Sequence, residues 1–130
     1  MKKIDIVVKS IPNETAIKFL KDNKAGSECV FIRPCDEWYG AYYDGVLVGV
    51  GGWTQKLRFI EIGGVFVKSE YRGQGIGTFI NAVLIADIGN KRIVAYARPN
   101  EARILKKFQF QEKQTLRNGT IKMERNKINE

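Results

Sequence analysis

The 130-residue chain has no histidine at all, and only two cysteines and three prolines. Without histidine, zinc sites of the Cys/His kind and Ser-His-Asp or Cys-His nucleophilic catalysis are excluded. Cys29 and Cys35 stand six positions apart, unlike the C-x-x-C of metal and redox motifs, so both are expected to be reduced thiols, Cys29 packed in a strand. No run approaches the roughly 20 apolar residues that span a bilayer. Met1 to Ile6 alternate in character instead of forming the apolar region of a signal peptide. The expectation is a cytoplasmic protein with no membrane partner and no metal, a monomer or homodimer.

What is present is an ordinary globular composition, with 44% hydrophobic and 28% charged residues. This length carries one domain, 1–130, with a single core and a single site. The net charge of +8 is unevenly placed: residues 1–67 hold 9 Lys/Arg against 8 Asp/Glu, and residues 68–130 hold 13 against 6. A surplus of +7 in one half serves either solubility or an anionic partner, including nucleic acid.

The apolar periods change along the chain in an orderly way. Lys3 to Lys9 alternate as a strand, and Pro12-Asn13-Glu14 opens a helix carrying Ala16, Ile17 and Leu20. Gly26 to Asp36 has no period, and Pro34 interrupts any regular element there. Trp38–Tyr43 and Val46–Thr54 read as two strands joined by Asp44-Gly45, a turn whose central residues both accept positive φ. Phe59–Val67 form a further strand, in which Gly63-Gly64 indicates a bulge or a close backbone approach. Ile76, Phe79, Ile80, Val83 and Leu84 recur at helical spacing up to the stop at Gly89-Asn90. A short strand Ile93–Ala97 follows, then a helix from Pro99 to near Phe108. Phe110–Leu116 and Thr120–Glu124 close as a hairpin over Asn118-Gly119, and Asn126–Glu130 read as a frayed tail. Asn118-Gly119-Thr120 matches a glycosylation acceptor, but without export it is simply a turn.

Between the strand ending at Val67 and the helix starting at Ile76 lies Arg72-Gly73-Gln74-Gly75-Ile76-Gly77. Three glycines let the chain fold tightly enough for consecutive N–H groups, from Gln74 to Thr78, to point at one anion at a helix start. The segment offers a phosphate cradle, the alternative being a tight turn with no ligand. A dinucleotide fingerprint would need βαβ context and an acidic residue at the end of a second parallel strand about 20 positions on, and this chain offers hairpins instead.

The hexapeptide matches the R/Q-x-x-G-x-G/A signature of the GNAT superfamily of acyl-CoA-dependent N-acyltransferases, and the order of elements resembles theirs from about residue 3 to residue 125. Asn100-Glu101-Ala102-Arg103-Ile104-Leu105-Lys106-Lys107-Phe108-Gln109-Phe110 resembles the family's second landmark, an Asn and Ala followed by L-Y-x-K-x-G-F. The chain departs from it in two places. Leu105 or Lys106 stands where the tyrosine belongs, and Gln109 replaces the glycine. The resemblance implies an α/β (α+β) fold with a mixed, mostly antiparallel central sheet of six to seven strands, flanked by three to four helices. It implies acetyl-CoA as co-substrate, its pyrophosphate against Gly73, Gln74, Gly75, Ile76, Gly77 and Thr78 with Arg72 beside the phosphates. It further implies that the backbone of Val65, Phe66 and Val67 receives the pantetheine arm in the manner of an added strand, in a gap between that strand and Ile93–Ala97. Asn100 would touch the same arm, and Arg103 is counted with it among the cofactor-binding residues.

N-acetyl transfer sets further requirements. An alkylamine acceptor, with a pKa near 10.4, is protonated at neutral pH and needs a proton acceptor before it attacks a thioester. Glu61, 11 residues before Arg72, is the candidate base, at a spacing similar to that of the general-base glutamate in histone-type relatives. The alternative is a solvent-facing strand residue pairing with Lys56 or Arg58. Tyr96 is the candidate acid for the leaving thiolate in place of the missing tyrosine, or else a half-buried core residue. Trp38, Tyr39, Tyr42, Tyr43 and Trp53 are expected mostly in the core, with one or two walling the acceptor cleft. One helix between the first strand and Trp38, where many relatives use two, implies an open cleft. The acceptor stays open between an amine on a protein or small molecule and a nucleobase, as in the phage Mom-type DNA-modification proteins that resemble GNAT enzymes. A non-catalytic acyl-CoA-binding module is the third possibility.

Overall fold

The structure is a computed structural model that describes residues 5–28 and 32–129. The expected strand start at Lys3 and the expected strand position of Cys29 lie outside those residues. Among the described residues the elements run β1(Ile6–Ile11), α1(Asn13–Asp22), β2(Glu37–Tyr43), β3(Val46–Gln55), β4(Ile60–Val67), α2(Ile76–Ile88), β5(Ile93–Ala97), α3(Pro99–Lys106), β6(Gln111–Thr115) and β7(Ile121–Arg125). Short 3₁₀ turns occupy Ala25–Glu28 and Ser69–Tyr71. The seven strands form one sheet in the order β1-β2-β3-β4-β5-β7-β6, antiparallel throughout except for β4 beside β5. This is the mixed, mostly antiparallel α+β architecture expected from the sequence.

Local chemistry sets the hairpins. Asp44 and Gly45 take φ of 50° and 80°, the doubly left-handed turn that matches the twist of β2 and β3. At the β6–β7 turn Gly119 has φ of 86°, and the Asn118 side chain accepts the Thr120 N–H at 3.0 Å.

Helices cover both faces. On one, α1 packs Phe19 and Leu20 against Trp38, Val50 and Phe66. The Asn13 side-chain oxygen accepts both the Cys35 N–H and the Trp38 indole N–H at 2.8 Å, tying the start of α1 to β2. On the other face, α2 and α3 bury Ile76, Ile80, Leu84, Ala102 and Leu105 over Ile60, Ile62, Val65 and Ile93. The expected stripe on α2 needs correction: Ile76, Ile80, Leu84 and Ile88 are buried with Asn81, whereas Phe79 is 44% exposed and Val83 only partly covered. Because α2 carries no charge before Asp87, apolar periodicity alone does not choose its buried side. The choice is made by β3. Gly49 and Gly51 leave a trough into which Ile80 descends, so that a Cβ added at Gly51 would stand 2.5 Å from Ile80 Cγ2 and 3.0 Å from Leu84 Cδ1.

The tail is also more ordered than expected, since the Ile128 N–H donates to Asn90 O at 2.8 Å. The glycine trough generates a stability prediction. Gly51→Ala should force α2 outward and lower the unfolding free energy by about 1–3 kcal/mol, read from urea melts. An unchanged midpoint and slope would show that Ile80 repacks without strain.

Candidate active site

The site is built where β4 and β5 part. Their parallel pairing covers Ile60↔Ile93, Glu61↔Val94 and Ile62↔Ala95 and goes no further. Just beyond it, β4 carries an extra residue: Val50 pairs with Phe66 and Gly52 with Gly63, so Gly64 and Val65 together oppose Gly51. The expected bulge at Gly63-Gly64 is therefore present, and it bends β4 away from β5 at the point where their ladder ends. Val65, Phe66 and Val67 keep their side chains in the cores on the two faces, at 7%, 4% and 9% exposure. Their backbone has β3 on one side and the gap on the other. Because the Lys68 N–H bonds Val48 O at 2.8 Å, Val67 is at a position whose N–H and C=O turn toward the gap.

The glycine loop closes the wide end of the gap. Gly73 and Gly75 have φ of 78° and 85°, and a Cβ at either would meet no heavy atom within 4 Å. Both residues need the left-handed conformation, and both border open space. Gly75 is the N-cap of α2, with no side-chain cap and no acidic residue in the first turn, so the helix start keeps its positive potential for an outside anion. Gly77 lies against Ile104 and Val67, at 3.8 and 3.9 Å from an added Cβ, which joins the start of α2 to the last turn of α3 and to the end of β4. Ile76 is buried at 2% and contributes its backbone only, while Thr78 is partly exposed beside it. Asn100 is exposed one turn before Ile104 on the same face of α3, and Arg103 is exposed next to it. Arg72 folds back on the strand: its Nε donates to Val67 O at 2.8 Å, and the guanidinium lies 5.1 Å from the centre of the Phe66 ring. It holds the loop to the end of β4 and uses one of the gap-facing carbonyls.

At the narrow end, parity puts Glu61, Val94 and Tyr96 on one face of the sheet, since Glu61 pairs with Val94 and Ile93, Ala95 and Ala97 point into the core on the other. Strand spacings place the Cα atoms of Glu61 and Tyr96 roughly 8 Å apart. Tyr96 is 43% exposed, so the core alternative for it does not hold. Glu61 is not solvent-facing and its partner is neither Lys56 nor Arg58; it is 9% exposed and ion-paired with Arg33. Arg33 comes from the aperiodic stretch between α1 and β2, and its guanidinium lies over Gly63, 3.6 Å from an added Cβ. No sequence pattern points to it.

The aromatic residues of the β2–β3 hairpin are mainly structural. Trp38 is buried, Trp53 donates to Asp87 on α2 at 2.8 Å, and burial, with the Asp87 carboxylate as a further contributor, pushes the Tyr39 phenol up to about 12. Tyr43 stacks at 5.8 Å on Tyr71, in the 3₁₀ turn that precedes the glycine loop. Cys35 is a buried free thiol whose pKa burial raises. Among the described residues no helix is long and apolar enough to cross a membrane.

An anion cradle, a strand edge open to a linear ligand, and an acid–phenol pair at the end of that edge together fit an acyl-CoA site. Comparison with known proteins gives the same family. No curated protein matches the chain. Among solved structures, it resembles Escherichia coli ElaA at 16% identity, covering 94% of this chain and 100% of that one with a TM-score of 0.74. It also resembles Arabidopsis thaliana Naa50 in complex with the bisubstrate analogue CoA-Ac-MVNAL, at 14% identity over 93% and 98% of the two chains with a TM-score of 0.64. With a Pyrococcus horikoshii protein it shares 20% identity over 87% of this chain but only 46% of that one, with a TM-score of 0.66. At these identities the likeness is one of fold. The sequence itself is more specific: residues 6–104 match the Acetyltransferase (GNAT) family, and the chain belongs to that family.

Proposed function

We propose that the chain is a single-domain N-acetyltransferase that moves the acetyl group of acetyl-CoA to an amine by direct attack in a ternary complex. The observation that carries this reading is the end of the β4–β5 ladder at Ile62/Ala95, with the glycine loop at one end of the resulting gap and Glu61 and Tyr96 at the other. Bound acetyl-CoA supplies an activated acyl group as a thioester. The N–H groups of residues 74 to 78 receive its pyrophosphate, and the gap-facing backbone at Val65 to Val67 receives the pantetheine arm. Asn100 and Arg103 flank that arm from α3. Glu61 takes the ammonium of the acceptor and removes one proton so that the nitrogen lone pair can attack. Tyr96, on the same face, hands its proton to the sulfur as the C–S bond breaks and then recovers one from solvent, while the nitrogen sheds its second proton to solvent. The Naa50 complex with the bisubstrate analogue CoA-Ac-MVNAL, on the same fold, supports an acyl-CoA ligand for this reading.

Two variants at one glycine test the cradle. Gly75→Ala and Gly75→Glu carry the same left-handed strain, about 1–2 kcal/mol, but only the second brings bulk and negative charge to the phosphates. Calorimetry with CoA should therefore show measurable binding for Gly75→Ala and none for folded Gly75→Glu. Equal affinities would place the pyrophosphate elsewhere.

The base and the acid are tested by pH. Glu61→Gln should lower kcat about 10²–10⁴-fold at neutral pH, with the deficit narrowing as alkaline pH deprotonates the acceptor unaided. Tyr96→Phe should slow thiolate release, and a smaller loss with an acyl donor of lower leaving-group pKa is the expected signature. Superimposable pH–rate profiles for wild type and Glu61→Gln would assign the proton transfer to water.

A further inference from the structure

The Arg33–Glu61 pair carries information about the acceptor. It stands at the narrow end of the gap, where an acceptor amine must arrive, and the two partners differ in access: the Glu61 side chain is 11% exposed and that of Arg33 41%. The guanidinium rests on backbone at Gly63, where no side chain separates it from the sheet. Beyond it on the same face are Tyr96 and its cross-strand partner Lys122. Glu124, the cross-strand partner of Val94 in the row of Glu61, is a second acid on this face and is held by Arg92, so Arg33 is the cation set against the candidate base.

A simple amine would enter this site at a disadvantage. To bring its ammonium to Glu61 it must displace a guanidinium from a buried carboxylate. Arg33 would give up its contact with Glu61 and face a second cation beside it. An acceptor carrying a carboxylate beside its amine avoids both penalties. Its ammonium replaces the guanidinium at Glu61, its carboxylate replaces Glu61 at the guanidinium, and the count of charge-assisted hydrogen bonds is preserved. Bidentate geometry makes arginine the better side chain for such a carboxylate, and the net charge of +8 attracts an acceptor that is not itself a polycation.

We infer that the acceptor is a free amino acid, bound with its amine at Glu61 and its carboxylate at Arg33. The inference rests on the acetyltransferase reading above. A lysine side chain within a protein presents an amine with no neighbouring carboxylate, and a nucleobase presents neither charge. The reaction balances as ammonium plus thioester giving amide, thiol and one proton: nitrogen loses one proton to Glu61 before attack and a second to solvent as the C–S bond breaks, Tyr96 protonates the sulfur, and both side chains then exchange back with solvent.

The test is an initial-rate panel with acetyl-CoA, comparing each amino acid with its amide and its decarboxylated amine. Wild-type kcat/KM for at least one amino acid should exceed that for both analogues by about 10²-fold. Arg33→Met should shrink this ratio to within a few-fold, through KM rather than kcat, and Arg33→Lys should restore part of it, which a merely structural role would not do. Turnover of amines with no preference for the carboxylate, or a ratio that survives Arg33→Met in a folded protein, would overturn the acceptor class and leave the acetyltransferase reading standing. Bound CoA with no turnover of any amine in the panel would overturn both.

Discussion

The sheet must open in its middle without losing its core, and that constraint organises the rest of the molecule. β4 meets it by changing partners along its length. At Ile60 to Ile62 it is an interior strand with β3 on one side and β5 on the other; after the bulge at Gly64-Val65 it is an edge strand within the sheet. An exposed interior edge would ordinarily invite pairing with another chain. Here it is bounded by the Arg72 side chain at Val67 O and by the glycine loop that follows. The hydrophobic residues meanwhile continue across the break, because Ile62, Val65 and Val67 all remain on the face covered by α2. A bulge keeps that face constant by inserting one residue, whereas a simple register slip would have turned the side chains over.

The glycines divide into two kinds. Gly49 and Gly51 are extended residues whose missing side chains admit α2, and their positions fix where the helix axis runs and hence where its N-terminus points. Gly73 and Gly75 are left-handed residues whose missing side chains leave space for something outside the protein. The first pair serves packing, and the second borders the space where we propose that the pyrophosphate binds. Placement of the anion cradle therefore depends on the β3 trough as much as on the loop itself.

Much of this was legible in the residues. The Asp44-Gly45 and Asn118-Gly119 turns, the strand boundaries near Glu37 and Val67, the bulge and the left-handed glycine loop before α2 each follow from local chemistry that acts within a few positions. Gln109 is instructive: it stands where relatives keep glycine, and its φ of 71° shows that the position is left-handed regardless of occupant. The buried side of α2 was misread because an apolar helix has no unique stripe until its partner is known. Arg33 was invisible for a different reason. It lies in a stretch without period, 28 residues from Glu61, and an ion pair across such a distance leaves no mark in local sequence. The candidate base could be named from its position in the strand, but its environment could not.

The basic half of the chain takes a different meaning once its charges are located. Arg125 is 5% exposed and donates to the carbonyls of Gly89 and Lys91, closing the C-terminus of α2, where a cation complements the helix dipole. Burial lowers its pKa from the ordinary arginine value, which marks it as a structural cation and not a surface one. Arg92 pairs with Glu124, whose carboxyl the guanidinium holds below the usual carboxylate range; this stabilisation is present above the ordinary Glu pKa and lost as pH falls through the depressed value. Lys106 pairs with Glu112, and Arg72 is bound to the strand end. Arg125 and Arg72 thus commit two of the seven surplus charges to backbone carbonyls, tying β7 to the end of α2 and the loop to β4, while the Arg92–Glu124 and Lys106–Glu112 pairs are net neutral and join β5 to β7 and α3 to β6.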